Sequence, residues 1–145
     1  LSGCLNHGHE ILAAQLMAAD LTNLGTRFIA TQESQAPDAY KEMLLASRAA
    51  DIIHTPAVSG VPASFMRQSL ENAGFDLAAL QGKSEARLKP LTDEAKAWKT
   101  VWSAGQGVGE IHDLPTTDQL IARLDEEYRK AHNLTSTLAR YCPHH

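Results

Sequence analysis

The chain has 145 residues, of which 43% are hydrophobic, 21% charged and 6% aromatic, a composition that folds instead of staying disordered. Its apolar runs are all shorter than the ~18 residues of a membrane-crossing helix, and residues 1–7 are too short and polar for a secretion signal. A net charge of −4 with scattered basic residues argues against a nucleic-acid partner and against an anionic membrane surface.

A polar loop opens the chain, with Gly3 and Gly8 on either side of Asn6 and His7. Because the chain starts with Leu, on a loop that no element precedes, we expect it to be the C-terminal part of a longer protein. Ile11, Leu12, Leu16 and Ala19 recur at helical spacing and predict a helix ending at Asp20. Leu21-Thr22-Asn23-Leu24 reads as a short buried strand, broken by Gly25-Thr26 and followed by Arg27-Phe28-Ile29-Ala30-Thr31. Pro37 suits the first turn of a helix with Tyr40, Met43, Leu44 and Ser47 along one face. Ile52-Ile53-His54-Thr55 reads as extended, since Pro56 biases Thr55 away from helical angles.

Ser59-Gly60-Val61-Pro62 is a turn, and Phe65, Met66, Ser69, Leu70 and Ala73 predict a helix that Gly74 ends. Residues 75–92 read as loop, and residues 93–102 as a helix with Ala95, Trp98 and Trp102 on one face. After the glycine-rich run Gly105-Gln106-Gly107-Val108-Gly109 a last helix starts near Pro115, where Thr116 and Gln119 have capping-box spacing. Leu120, Ile121, Leu124 and Tyr128 are its expected buried stripe, and residues 133–145 have no clear period. Strand, glycine loop and helix form the unit of an α/β protein. Two short strands are too few for a sheet that covers this many helices, a second reason to expect a fragment.

Three glycine loops and the histidines carry what chemistry the sequence offers. Gly3, Gly8, His9 and Glu10 have the outline of a nucleotide-binding P-loop, but His9 stands in place of its lysine and Glu10 in place of its Mg²⁺-binding hydroxyl. A carboxylate there repels a triphosphate, which excludes an ATPase. What remains is a glycine loop whose following helix offers free N–H groups to an anion, or a plain strand-to-helix turn.

Gly25-Thr26 repeats the pattern, with a hydroxyl added to the backbone donors. Two such loops roughly one βα unit apart match the phosphate site after the last two strands of a (β/α)₈ barrel. The run from Gly105 to Gly109 lacks the offset of a dinucleotide fingerprint. It is either a connector or backbone that closes over a flat ligand while Gln106 hydrogen-bonds it.

His7 and His9 could hold a metal, but no third ligand is evident nearby, and we expect no metal. His54 and His112 read as loop or surface residues, Trp98, Trp102 and Tyr128 as core, and no nucleophilic triad can be inferred from spacing. His144 and His145 are terminal. Cys4 and Cys142 lie far apart with no metal-type spacing, as for reduced thiols in a cytoplasmic protein.

Several stretches together resemble the nitronate monooxygenases, formerly called 2-nitropropane dioxygenases. They are Ala19-Asp20, then Leu24-Gly25-Thr26-Arg27-Phe28-Ile29-Ala30-Thr31-Gln32-Glu33-Ser34, residues 36–41 with Tyr40-Lys41, Thr55-Pro56-Ala57-Val58-Ser59-Gly60-Val61-Pro62-Ala63 and Trp102-Ser103-Ala104-Gly105-Gln106-Gly107-Val108-Gly109. The resemblance covers about residues 1 to 128.

It implies a flavoprotein with an FMN-binding TIM (β/α)₈ barrel and additional C-terminal helices. Residues 1–34 would be the last barrel units with their phosphate loops, 35–130 a helical segment and 131–145 a tail. Such oxidoreductases oxidise alkyl nitronates with O₂, giving carbonyl compounds and nitrite, and the flavin carries the redox chemistry. By resemblance the phosphate loops fall on Ser2-Gly3-Cys4 and Gly25-Thr26, and residues 103–107, with Gln106 and Gly107, lie near the flavin.

Two departures stand out. Cys4 replaces the second glycine of the first loop, and Ala18 replaces the glycine of a Gly-Ala-Asp helix end. The family's catalytic histidine belongs to a strand before Leu1, so no catalytic residue is expected in this chain. The missing N-terminal part of the barrel would be its partner, and a homo-oligomer stays open. Two other readings stand beside this one: a flavin-dependent enoyl-reductase-like enzyme, and a non-catalytic truncated helical domain that binds a partner.

Overall fold

The computed structural model describes residues 1–56, 58, 60–78 and 101–139. The sequence-predicted helix over residues 93–102, Trp98, most of the 75–92 loop, Cys142 and the terminal histidines therefore lie outside the described residues, apart from the ends of those ranges. The fold is mixed α/β. In chain order it comprises α1 (Gly8–Leu16), α2 (Gly25–Ile29), α3 (Asp38–Ala46), β1 (Ile52–Thr55), β2 (Ala63–Met66), α4 (Arg67–Asn72) and α5 (Thr117–Ala139), with 3₁₀ turns at Ala49–Asp51 and Gln106–Glu110.

Helix α1 starts where the sequence places it. The Glu10 carboxylate accepts hydrogen bonds from the backbone N–H groups of Asn6 (2.5 Å) and His7 (2.9 Å), which fixes the entry into the first turn. It ends earlier than Asp20, at Leu16. Ala19 N–H donates to the Ala14 carbonyl and Ala18 N–H to that of Gln15, which places Ala18 in the left-handed conformation at φ 65°. This is the paired-bond helix stop that glycine ordinarily serves.

Of the expected apolar stripe, Leu12 is buried and Ile11 and Ala19 are half-buried, while Leu16 faces solvent, as do the neighbouring Met17 and Leu21. Leu21-Thr22-Asn23-Leu24 is accordingly not a buried strand. It contributes a single parallel bridge, Asn23 beside Ser2, supported by Asn23 N–H donating to Leu1 O at 2.9 Å. Chain ends pairing in parallel across a helix form a βαβ connection reduced to its minimum.

Pro37 caps α3, as expected. The strand pair β1–β2 is antiparallel, with Ile52 opposite Met66 and Ile53 opposite Phe65. Side chains alternate between the two faces of a strand, and here both faces are covered. Ile52 and Met66 join a core with Ala30, Leu44, Ala104, Val108 and Ile111, whereas Ile53 and Phe65 join Val58, Leu70 and Val101. The stretch from 35 to 130 is therefore not helical throughout. Phe65 and Met66 are strand residues, and the predicted helix begins after them, at Arg67. Gly74 ends that helix region at φ 82°.

The Thr116–Gln119 capping box forms, with Thr116 N–H donating to Gln119 Oε1 at 3.0 Å and Gln119 N–H to Thr116 Oγ1 at 3.2 Å. A second cap comes from a distant residue. The exposed Glu33 carboxylate accepts from Thr117 N–H (2.9 Å) and from the Thr117 hydroxyl (3.1 Å), putting negative charge at the positive end of α5. Leu120 and Leu124 are buried, but Ile121 is 54% exposed, so the stripe is narrower than expected. The helix runs on through Ala139, past the point where apolar periodicity fades.

Helix α5 lies against the start of α1 with almost no gap. A Cβ on Gly8 would stand 2.5 Å from Tyr128 N, 2.8 Å from Glu127 Cβ and closer still to the Leu124 carbonyl oxygen. Two substitutions should therefore move stability in opposite directions. Ala18→Gly relieves the left-handed alanine and is expected to raise unfolding free energy by about 0.5–1 kcal/mol. Gly8→Ala forces α1 from α5 and is expected to lower it by more than about 2 kcal/mol. Urea unfolding of the two variants checks both signs.

Candidate functional site

Three loops meet at one cleft of about 360 Å³. The first runs from Ser2 to Asn6, and its backbone turns through two left-handed residues, Gly3 (φ 96°) and Cys4 (φ 55°). The second contains Asn23, Gly25 and Thr26, and the third Gly105, Gly107 and Val108. Of the residues the sequence singles out, Gly3, Cys4, Gly25, Thr26 and Gly107 line this cleft together. Gln106 does not: it sits exposed on the 3₁₀ turn, because Gly105 and Gly107 face inward on either side of it.

The loops are tied to one another. Asn6 is buried, and its side-chain amide donates to the Gly107 carbonyl at 2.8 Å. Gly105 N–H donates to Thr26 Oγ1 at 2.9 Å, which leaves the Thr26 hydroxyl hydrogen for another acceptor. Gly107 has to be glycine, since a Cβ would reach 2.8 Å from Asn6 Nδ2 and 2.9 Å from Cys4 Cα. Gly25 differs: a Cβ there meets nothing within 4 Å. Its missing side chain leaves open space in the cleft and serves no packing contact among the described residues.

The third loop is also held from outside. Tyr40 donates a short hydrogen bond to the Ser103 carbonyl, and its ring stacks on Trp102 at 5.1 Å. Burial pushes the Tyr40 phenol above its ordinary pKa.

Among the described residues neither a lysine or arginine nor a carboxylate lines the cleft; what it offers is backbone, the hydroxyls of Ser2 and Thr26 and two asparagines. That donor set suits a phosphate held by backbone and hydroxyl, the way glycine loops hold anions. Charge is kept behind it. Arg27, adjacent to Thr26, is 3% exposed and donates to Asp113 Oδ1 at 2.7 Å. Asp113 Oδ2 accepts from Arg123 of α5 at 2.6 Å. Burial lowers the Arg27 pKa, and the Asp113 charge opposes that shift. The hydrogen bond from Arg123 and the two guanidinium charges hold Asp113 below the ordinary carboxylate range, against some desolvation.

Sequence reasoning missed Asn6 as a cleft residue and the partners of Arg27 altogether. A buried asparagine flanked by glycine loops was the available signal for the first. The second joins residues 86 apart and leaves no local pattern. His54 and His112 are exposed, as expected. Among the described residues no helix is long and apolar enough to cross a membrane.

Solved structures share this fold. FabK from Thermotoga maritima superimposes with a TM-score of 0.67 at 23% identity, over 97% of this chain and 46% of that one. A nitroalkane oxidase from Streptomyces ansochromogenes gives 0.68 at 26% identity, over 92% and 40%. A sequence model of nitronate monooxygenase matches residues 2–127, and the chain belongs to that family. A nitronate monooxygenase of Pseudomonas aeruginosa is 33% identical across 88% of this chain and 38% of its own length. Another, from Paraburkholderia phytofirmans, is 29% identical across 90% and 37%. The chain thus spans a little over a third of the length of these curated relatives.

Glu33 is held below the ordinary carboxylate range by hydrogen bonds led by that from Thr117 N–H. A carboxylate depressed on folding stabilises the fold above its unfolded value, roughly pH 4, and that stability is lost as pH falls through the lower folded value. With Asp113 depressed in the same sense, urea midpoints are expected to fall steeply below about pH 4. The Glu33→Gln and Asp113→Asn double variant should show a flatter acid limb between about pH 5 and 3. An unchanged limb would mean that neither carboxylate is the coupled group.

Proposed function

We propose that this chain supplies the phosphate-holding part of an FMN site in a flavin-dependent oxidoreductase of the nitronate monooxygenase type. It would be the C-terminal part of a TIM (β/α)₈ barrel in a cytoplasmic enzyme. The substrates are an alkyl nitronate and O₂, and the products a carbonyl compound and nitrite. When bound, the flavin supplies the redox chemistry. This chain's residues bind and orient it. Gly3, Cys4, Gly25 and Thr26 would hold its phosphate through backbone N–H groups and the Thr26 hydroxyl, and Gly107 keeps the third loop close enough to complete the cleft.

One observation carries the reading: three separated loops converge on a single neutral cleft, with open space beside Gly25. Family membership supports the chemistry, and the Ser2–Asn23 bridge supports neighbouring barrel strands. The exposed Leu1 and Leu21 border an open apolar hollow beside that bridge, where the rest of a barrel would pack. The general base for neutral substrates would come from that remainder, and none of the histidines here is given its role.

Gly25→Asp tests the phosphate assignment, because within the chain the new side chain meets nothing and the fold should persist. In the full-length protein the purified variant is expected to keep its far-ultraviolet circular dichroism and to lose flavin by about tenfold or more. Flavin content equal to the parent's would refute the site. Anaerobic mixing with an alkyl nitronate is expected to bleach the flavin absorbance with no nicotinamide present. Rapid bleaching by NADH or NADPH would overturn the monooxygenase reading in favour of a reductase.

A further inference from the structure

Outside the cleft, the start of α1 and the middle of α5 bring together side chains that the proposed flavin chemistry does not use. His7, His9 and Glu127 each offer one ligand atom, and the three atoms lie within 4.8 Å of one another. The sequence shows the His7-x-His9 pair but no third donor. The fold supplies it from 118 residues away, as Glu127 on the second turn of α5 beyond Leu120.

We infer that His7, His9 and Glu127 form a binding site for a divalent cation of the zinc class. Two imidazoles and one carboxylate are a ligand set zinc accepts, with a fourth position left to water. In a tetrahedral site with ~2.0–2.1 Å bonds, ligand atoms stand about 3.3 Å apart. The three ligand atoms now lie within 4.8 Å of one another, so binding draws them together by about 1.5 Å at most.

The backbone is already fixed for it. Gly8, between the two histidines, is pressed against α5 so closely that no side chain fits there. Its N–H donates to Glu127 Oε2 at 2.7 Å, which aims that carboxylate at the loop. His7 Nδ1 is 3.5 Å from the same oxygen. The imidazole rings of His7 and His9 stack nearly parallel, with centroids 5.2 Å apart and planes 12° from each other, which holds the two side chains side by side.

A cation at a helix N-terminus opposes the helix dipole. Two carboxylates offset this: Glu127 itself, and Glu10, whose oxygen accepts from Asn6 and His7 N–H. A bound ion would staple the first loop of the cleft to α5, so its expected effect is on stability and not on flavin chemistry. A plain His7–Glu127 ion pair, with His9 a bystander, is the competing account.

His9 separates the two accounts, because it is exposed and its loss leaves the Gly8–α5 contact intact. The protein is purified without an affinity tag, in a background with His144→Ala and His145→Ala, stripped with chelator, and titrated with ZnCl₂ and CoCl₂. The expected result is one saturable site per chain, a rise in melting temperature with zinc, and a Co²⁺ spectrum of tetrahedral intensity without a thiolate charge-transfer band. His9→Ala and Glu127→Gln should each weaken zinc binding by about tenfold or more, and His9→Ala should melt at the parent's metal-free temperature. The inference falls if no saturable binding occurs, if His9→Ala binds zinc like the parent, or if a thiolate band shows that cysteine holds the ion.

Discussion

Asn6 reaches across from the first loop to the Gly107 carbonyl, and much of the arrangement depends on that one buried hydrogen bond and the absent side chain beside it. The amide is 5% exposed, so a missing partner would leave a polar group stranded out of water. Its partner can approach only because Gly107 has no Cβ to strike Asn6 Nδ2 and Cys4 Cα. The backbone N–H of the same residue is taken by Glu10, which starts α1. One residue thus joins the first loop, the third loop and the helix that follows the first. The cleft is a consequence of this joint, since its walls are the two strands of backbone held apart at that spacing.

The second wall is positioned by charge from behind. Thr26 faces the cleft and its neighbour Arg27 faces away, into contact with Asp113. Burying a guanidinium is costly unless it is paired and hydrogen-bonded, and here the pairing is with a carboxylate still 45% exposed that also holds Arg123. The ion network therefore sets the direction of α2, a helix too short to be stable alone. Because the charges lie behind the loop, no charged side chain lines the cleft among the described residues. Glu33 does for α5 what Arg27 does for α2, by capping Thr117 across 84 residues of sequence.

What could be read from the sequence follows from which forces are local. Helix starts at Pro37 and Thr116 depend on residues within one turn, and both form where expected. The two phosphate-loop candidates were legible because glycine near a strand end has a local meaning, and the structure places both on one cleft. Phe65 and Met66 misled because β2 is buried on both faces. With no polar face there is no period-two alternation, and the apolar residues blend into the helical stripe that follows. Leu16 and Leu21 misled in the other direction, as apolar residues that this chain leaves exposed. Glu127 beside His7 and His9, Asp113 beside Arg27, and Glu33 on α5 are all non-local. Composition and spacing carry no trace of such pairs, which arise only when the chain folds back on itself.

Two left-handed residues without a glycine's freedom bracket α1: Cys4 before it and Ala18 after it. Each costs about 1 kcal/mol relative to an ordinary conformation. Such strain persists only where the surroundings over-determine the backbone. For Ala18 the determinants are the two hydrogen bonds that stop the helix. For Cys4 they are the Asn6 joint and the close approach of Gly107. Between these points, Gly8 locks α1 against α5. The segment from Cys4 to Ala18 is thus held at three places, at the cleft wall, against α5 and at the end of α1. Cys4 and Ala18 are forced into the left-handed conformation by their neighbours. Gly8 and Gly107 stand where a Cβ would strike backbone or a neighbouring side chain, and Gly25 stands where open space faces the cleft.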